Sequence, residues 1–264
     1  MTCVRLISFD AFRTLGLPGV RYIKPELMQQ SLDDIRQADW LLFPAYWQIN
    51  SLHYVLKRRI FPSLASYHLG HDKVEMTRAF QAACPAHIPR TEILARDAAH
   101  VDELLQRWEL PLVAKKIRAS EGLGVYLIET RAQLADYIAA NEVVYLQELL
   151  PIERDLRVVL VGRQVVAAYW REGADFHNNL ARGGVVRLDL PIPQAALDFV
   201  TRLAFYLDID HAGFDLALVG DHPYVLEFNR LFGMSGEQQL SERVAAAMRT
   251  YLGLVPPAPR QEVC

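Results

Sequence analysis

Three oxygen-bearing side chains, Asp215, Glu227 and Asn229, interrupt two otherwise apolar runs, Gly213 to Val219 and Tyr224 to Asn229. The runs are separated by a short turn-forming stretch, which predicts a β-hairpin. Successive strand side chains point to opposite faces, so Glu227 and Asn229 share one. A three-residue loop, Gly220-Asp221-His222, would pair Val219 with Pro223 and set Asp215 opposite Glu227. A change of one residue in that loop would turn Asp215 to the other face. Two carboxylates on one buried face, with no basic residue in the hairpin, are unstable by themselves. A hard divalent cation relieves this, and Mg²⁺ takes one or two carboxylates with water and phosphate oxygens in its other positions. A solvated polar face is the alternative.

A Mg²⁺ site of that kind needs phosphates, and the upstream chain has elements suited to them. Lys73 opens a helix expected over 72–83, with Asp72 as its N-cap. Lys115 ends the strand Leu112-Val113-Ala114-Lys115, and a loop holding Ser120, Gly122 and Gly124 leads into a second strand. Glycines let a backbone approach a ligand and aim its N–H groups at phosphate oxygens. The order strand, glycine loop, strand is not the Walker arrangement, which runs from a strand into a helix. An ordinary hairpin turn and an exposed lysine are the alternatives for these elements taken singly. Val143 to Leu150 is a strand stopped by Pro151, and 155–161 with 164–170 form a hairpin around Gly162-Arg163. Arg157 and Arg171 lie at the ends of that hairpin away from its turn. A polar loop over 175–184 follows, then a helix over 193–207 and a last helix that includes 245–251.

The first 70 residues alternate short strands (4–9, 40–43, 60–63) with helical stretches (27–38, 49–59), the pattern of a small α/β unit with a parallel sheet. The chain has 264 residues, 52% of them hydrophobic, enough for a sizeable core. A net charge of −3 gives no reason to expect nucleic-acid binding. No apolar run approaches a membrane span, and the first residues lack a secretory core. Cys3, Cys84 and Cys264 match no disulfide framework or zinc spacing and fit reduced thiols, so a cytoplasmic location is expected. The proline-rich end, 254–264, is expected to be a mobile tail.

The order of these elements resembles the ATP-grasp superfamily, and within it the RimK-like carboxylate–amine ligases. The resemblance runs from about Lys73 to Tyr251. It is carried by Pro111 to Lys115 leading into Gly122-Leu123-Gly124-Val125, by Asn179-Leu180-Ala181-Arg182-Gly183-Gly184, and by the ends of the acidic hairpin. It implies an α+β and α/β architecture: a pre-ATP-grasp domain over 1–70, one ATP-grasp subdomain with the flap over 71–145, and a second with the Mg²⁺ site over 146–253. It also implies roles. Lys73 and Lys115 would contact ATP phosphates, and Ser120, Gly122 and Gly124 would belong to the flap. Gln147, Glu148, Leu149 and Leu150 would hold adenine, and Asp155 would lie near the ribose. His177, Asn178 and Asn179 would line the nucleotide pocket. Asp215, Glu227 and Asn229 would hold two Mg²⁺ ions, a place Mn²⁺ can take. Arg171, Arg157, Asn179 and Arg182 would act at the reacting groups, though surface ion pairing is the alternative for each arginine alone.

The reaction so implied joins a small-molecule or peptide carboxylate to an amine such as an amino acid. It passes through an acyl phosphate and releases ADP and phosphate, in a protein expected to form a dimer or tetramer. A macrocyclase acting on a ribosomal peptide and a non-catalytic nucleotide-binding module are the alternatives. One departure stands out. Where relatives end the hairpin with Asn-x-x-Pro-Gly, this chain has Asn229-Arg230-Leu231-Phe232-Gly233.

Overall fold

The computed structural model describes residues 4–117, 124–173, 185–233 and 239–254. Three sheets follow one another along the chain. The first holds β1 (Leu6–Ser8), β2 (Val20–Tyr22), β3 (Trp40–Leu42) and β4 (Ile60–Phe61), all parallel, in the order β2-β1-β3-β4. β1, β3 and β4 are short and buried on both faces, as parallel strands usually are, whereas the edge strand β2 leaves Arg21 and Tyr22 exposed. The predicted helix over 49–59 forms only in its first half. A 3-10 turn (Tyr46–Gln48) runs through Ile49 and Asn50 into a wide π turn (Ser51–Val55), and Lys57 reverses the chain at φ 54°. Ile49, Leu52 and Leu56 form the inner face of this turn and pack on the core of the first sheet, while Val55 is exposed. Helix α1 (Leu32–Gln37) is preceded by a 3-10 stretch, Pro25–Ser31, and α2 (Leu64–Leu69) was not foreseen.

Helix α3 (Lys73–Ala83) starts at Asp72, whose side chain accepts the N–H groups of Val74 at 2.9 Å and Glu75 at 3.0 Å. That cap sets Lys73 in the first turn. The second sheet is antiparallel, with β5 (Thr91–Ala95), β6 (Leu112–Lys115), β7 (Val125–Ile128) and β8 (Val143–Glu148) in the order β5-β8-β6-β7. Helices α4 (Val101–Arg107) and α5 (Arg131–Ala140) cover one face, burying Leu104, Leu134, Leu112, Ala114, Val144 and Leu146. The alternate residues Val113, Lys115, Tyr145 and Gln147 therefore point away from those helices.

The third sheet has the order β11-β10-β9-β12-β13, from β9 (Arg154–Val161), β10 (Gln164–Glu172), β11 (Val185–Arg187), β12 (His211–Val219) and β13 (His222–Asn229). One face packs on α3 and α6 (Gln194–Tyr206) through Leu156, Val158, Phe214, Val225 and Phe228. On the other face, Val159 and Val161 pack against the first sheet and α7 (Leu240–Tyr251). Asp155 and Arg157 continue that second face toward the other end of β9. One face of one sheet thus packs against the first sheet at one end and carries a polar cluster at the other.

Candidate active site

The polar end of that face gathers side chains from four strands. Asp215 lies opposite Glu227 in the β12–β13 ladder. The predicted three-residue turn is in fact two residues long, because Val219 pairs with His222. A bulge at Leu226 absorbs the extra residue and returns Glu227 to its place opposite Asp215. Neighbouring β9 brings Arg157 opposite Asp215, with Nε 2.6 Å from Oδ1 and Nη2 3.1 Å from Oδ2. From β10, Arg171 clamps Asp155 with two bonds of 2.6 and 2.8 Å and also reaches Asp215 Oδ1 at 2.9 Å.

The cluster is fixed by its surroundings. Gly213 sits beside Arg157, and a Cβ added there would collide with the arginine Nη1 and come within 3.2 Å of its Cδ. The missing side chain of Gly213 therefore makes the space in which Arg157 reaches Asp215. Residue spacing alone did not single it out as a site residue; its place two positions before Asp215, hence on the same face, is the signal that could have.

Lys73 crosses from α3 to Glu227, with Nζ 2.7 Å from Oε2, and Asn229 Nδ2 donates to Glu227 Oε1 at 3.3 Å. The backbone N–H of Lys73 also donates to Ile117 O at 3.2 Å, which ties the start of α3 to the end of β6. Lys115 is buried on the uncovered face of the second sheet, its Nζ 5.7 Å from the Tyr145 ring centroid. Tyr137 holds its carbonyl by a 2.7 Å hydrogen bond. Thr77 and Tyr145 share a 2.8 Å hydrogen bond that joins α3 to β8.

The charges respond to this packing. Burial lowers the Lys115 amine to about 8, with Glu227 opposing that shift and Lys73 adding to it. Burial alone would raise the Glu227 carboxyl, but Lys73 and Lys115 outweigh it and hold the group at about 2. Burial raises Asp155 to about 6, against Arg171 and with the help of Asp215. For Arg171, burial is outweighed by the charges of Asp215 and Asp155, and the guanidinium stays protonated. Four cations (Lys73, Lys115, Arg157 and Arg171) thus surround three carboxylates (Asp155, Asp215 and Glu227). Such a formal surplus favours a polyanionic ligand.

The residues expected to hold adenine sit at the end of β8. Gln147 Nε2 donates to Thr91 Oγ1 at 2.8 Å. Glu148 exchanges two bonds with Arg90, the residue before β5: its N–H donates to Arg90 O at 2.9 Å and its Oε1 accepts Arg90 N–H at 2.6 Å. Leu149 and Leu150 follow the strand, and Leu150 O accepts Ile152 N–H at 2.9 Å. Gly124 anchors one end of the glycine loop, its carbonyl accepting Lys116 N–H at 2.7 Å. Ser120, Gly122, His177, Asn178, Asn179, Arg182 and the tail beyond Leu254 lie outside the described residues.

Asp215, Glu227 and Asn229 offer only oxygen donors toward a common side, a set that fits a hard cation. Among the described residues no three His, Cys, Asp or Glu side chains gather closely enough to cage a metal by themselves. Mg²⁺ does not need such a cage when phosphate oxygens complete its shell.

Residues 72–252 match the RimK-like ATP-grasp domain family. A probable alpha-L-glutamate ligase of Enterobacter sp. is 31% identical over 74% of this chain and 70% of that protein. A ribosomal protein bS6–L-glutamate ligase of Salmonella paratyphi B is 32% identical over 67% of this chain and 64% of that protein. The chain thus spans about two thirds of the length of these relatives. Among solved structures, D-alanine–D-alanine ligase from Bacillus anthracis complexed with ATP superposes with a TM-score of 0.66. It is 13% identical, with 95% of this chain and 94% of that chain covered, so this likeness concerns the fold. No helix among the described residues is long and apolar enough to cross a membrane. With the family matched over most of its length, the chain belongs to the RimK-like ATP-grasp ligases.

Proposed function

We propose that this protein is an ATP-dependent carboxylate–amine ligase that activates a carboxylate as an acyl phosphate and joins it to an amine, releasing ADP and phosphate. The observation that carries the reading is the surplus of buried cations around Asp215 and Glu227, on a face reached from three sides by α3, the second sheet and the third sheet. Lys73 and Lys115 are placed to take phosphate oxygens. Leu149 and Leu150 offer backbone groups at the end of β8 for a purine edge. The flap residues Ser120, Gly122 and Gly124 and the loop holding His177, Asn178, Asn179 and Arg182 complete the nucleotide pocket in this reading.

In the first step a carboxylate oxygen attacks the γ-phosphorus of ATP and the bond to ADP breaks. Two anions must approach each other, so the groups that offset charge decide the rate. Arg171 and Arg157 are held at the reacting end by Asp155 and Asp215, and each can turn N–H groups to the transferring phosphoryl oxygens. A positioned cation of this kind contributes about a hundredfold or more in rate. Asp215, Glu227 and Asn229 would hold Mg²⁺, which when bound supplies further charge neutralisation on the phosphates. In the second step the amine nitrogen attacks the acyl carbon, phosphate leaves, and the amine loses a proton. No enzyme nucleophile is required.

The relatives' names point to an amino acid as the amine and, for one of them, a ribosomal protein as the acceptor, so a peptide or protein carboxylate is included in the proposal. The test is ADP release across amino acids and carboxylate acceptors, with mass spectrometry of the product. Ligation by the natural protein and its loss in Glu227→Gln is the expected result. Nucleotide binding without ADP release from any pair would refute the reading.

A further inference from the structure

The turn that leaves the acidic hairpin carries a cation outside the cluster around Asp215 and Glu227. Arg230 directly follows Asn229, and its Cζ lies 4.0 Å from the centroid of the Tyr67 ring. Its Nε is buried without a hydrogen-bond partner. Among the described residues no carboxylate forms an ion pair with it. A second guanidinium comes from the stretch after β1: Arg13 Nη1 donates to Phe232 O at 3.5 Å. Its neighbour Asp10, 3.8 Å from Arg13 Nε, already accepts the N–H groups of Phe12 at 3.0 Å and Arg13 at 3.1 Å.

The position is braced from three sides. His211 is fully buried, and its Nδ1 lies 2.7 Å from the Arg230 carbonyl. The His211 ring stacks on Phe232, with centroids 4.7 Å apart and planes 20° apart. Tyr67 is fixed by its hydroxyl, which donates to Pro44 O at 2.6 Å. A half-buried guanidinium without an anion is costly, and two that converge on one turn repel each other. A guanidinium over an aromatic face still has N–H groups around its edge, and that edge matches a carboxylate.

We propose that Arg230, assisted by Arg13, forms a subsite for a carboxylate of the substrate that does not react. The inference rests on the ligase reading above, which requires an acid and an amine to meet beside Asn229. The carboxylate could belong to a free amino acid or to a peptide, and the same chemistry serves both.

The test is equilibrium binding with a non-hydrolysable ATP analogue and Mg²⁺ present. L-Glutamate is compared with L-glutamine and L-isoglutamine, and an acidic peptide with its C-terminal amide, in the natural protein, R230Q and R230K. The natural protein should prefer an acid to its amide by about tenfold or more, as the loss of a charge-assisted pair implies. R230Q should bind both within about twofold, and R230K should keep part of the preference because it keeps the charge. R13Q carries the same comparison if R230Q fails to fold. The arm that shows the preference identifies the source of the carboxylate. No acid preference in either arm, or one left intact in R230Q, overturns the proposal. ADP release is followed separately: a protein that prefers acids through Arg230 but never releases ADP would refute the ligase reading and leave the subsite standing.

Discussion

Asp215 and Glu227 face each other across β12 and β13, and the residue that preserves this pairing is the bulged Leu226 beside the site. A bulge bends its strand and re-aims neighbouring side chains. Deleting Leu226 would keep Asp215 opposite Glu227 in a regular ladder but straighten the strand that aims the carboxylate. We expect that deletion to fold and to lose about a hundredfold in kcat, the scale of a 1 Å misplacement. Inserting a glycine after Gly220 lengthens a remote turn and leaves the bulge in place, so kcat should stay within about threefold of the natural protein. Equal effects of the two changes would show that the bulge has no role in aiming Glu227.

Gly213 and Arg157 form a second such pair. A methyl group at 213 would occupy the path of the guanidinium, and Phe232 Cβ, 3.1 Å from the added atom, blocks the other side. Gly213→Ala should therefore expel Arg157 from Asp215. The expected cost is about 1–3 kcal/mol in urea unfolding, as for other overpacked positions. Activity should fall further than in Arg157→Gln, because the displaced side chain also disturbs Asp215. A Gly213→Ala protein with natural stability and turnover would contradict this account.

Much of this was legible in the sequence because strand alternation and capping are local. Asp72 at the start of α3, the β9–β10 hairpin and the facing of Asp215 and Glu227 follow from residue spacing. The turn length did not, because a two-residue turn with a bulge and a three-residue turn without one leave the same partners opposite each other. The stretch 49–59 was legible only in part: its apolar spacing gives a helical turn as far as Leu56, but Lys57 at φ 54° ends it before the basic residues Arg58 and Arg59. Least legible were the ties of Asp215 to Arg157 and Arg171. They join residues more than 40 positions apart, and only the strand order β10-β9-β12 brings them together.

The Arg171–Asp155 pair is buried, so removing one partner should cost more than the pair contributes. Arg171→Met leaves both Asp155 and Asp215 without that guanidinium, and about 3–5 kcal/mol should be lost. Asp155 is already raised to about 6 by burial, and without Arg171 it rises further above its unfolded value. A carboxyl raised on folding loses stability as pH increases, because the unfolded chain then binds fewer protons. The Arg171→Met deficit should thus be smaller at pH 5 than at pH 8 in urea unfolding. Adding Asp155→Asn should recover part of it.

Lys115 offers a test by proton counting. Burial holds its amine at about 8, so near that pH about half of the molecules carry the neutral form. Phosphate oxygens favour the charged form and raise the value. ATP binding at pH 8 should therefore take up about half a proton, seen as a dependence of the calorimetric heat on buffer ionisation enthalpy. Affinity should fall as pH rises above 8. Lys115→Met should bind ATP more weakly and show none of this uptake.

The last expectation concerns the order in which metal and nucleotide bind. Asp215 is held by two arginines and Glu227 by Lys73, so the carboxylates proposed to take Mg²⁺ already have partners. Mg²⁺ alone must displace those cations with little in return, whereas ATP gives them phosphate oxygens to move to. Mg²⁺ should thus show no saturable binding at millimolar concentration in calorimetry of the free protein. With the non-hydrolysable ATP analogue it should bind at least about tenfold more tightly than it binds the analogue in solution, a coupling of about 1.4 kcal/mol. Lys73→Met releases Glu227 and should make Mg²⁺ binding detectable without nucleotide while weakening the analogue. Tight Mg²⁺ binding to the natural protein without nucleotide would mean that the ion pairs do not guard the site.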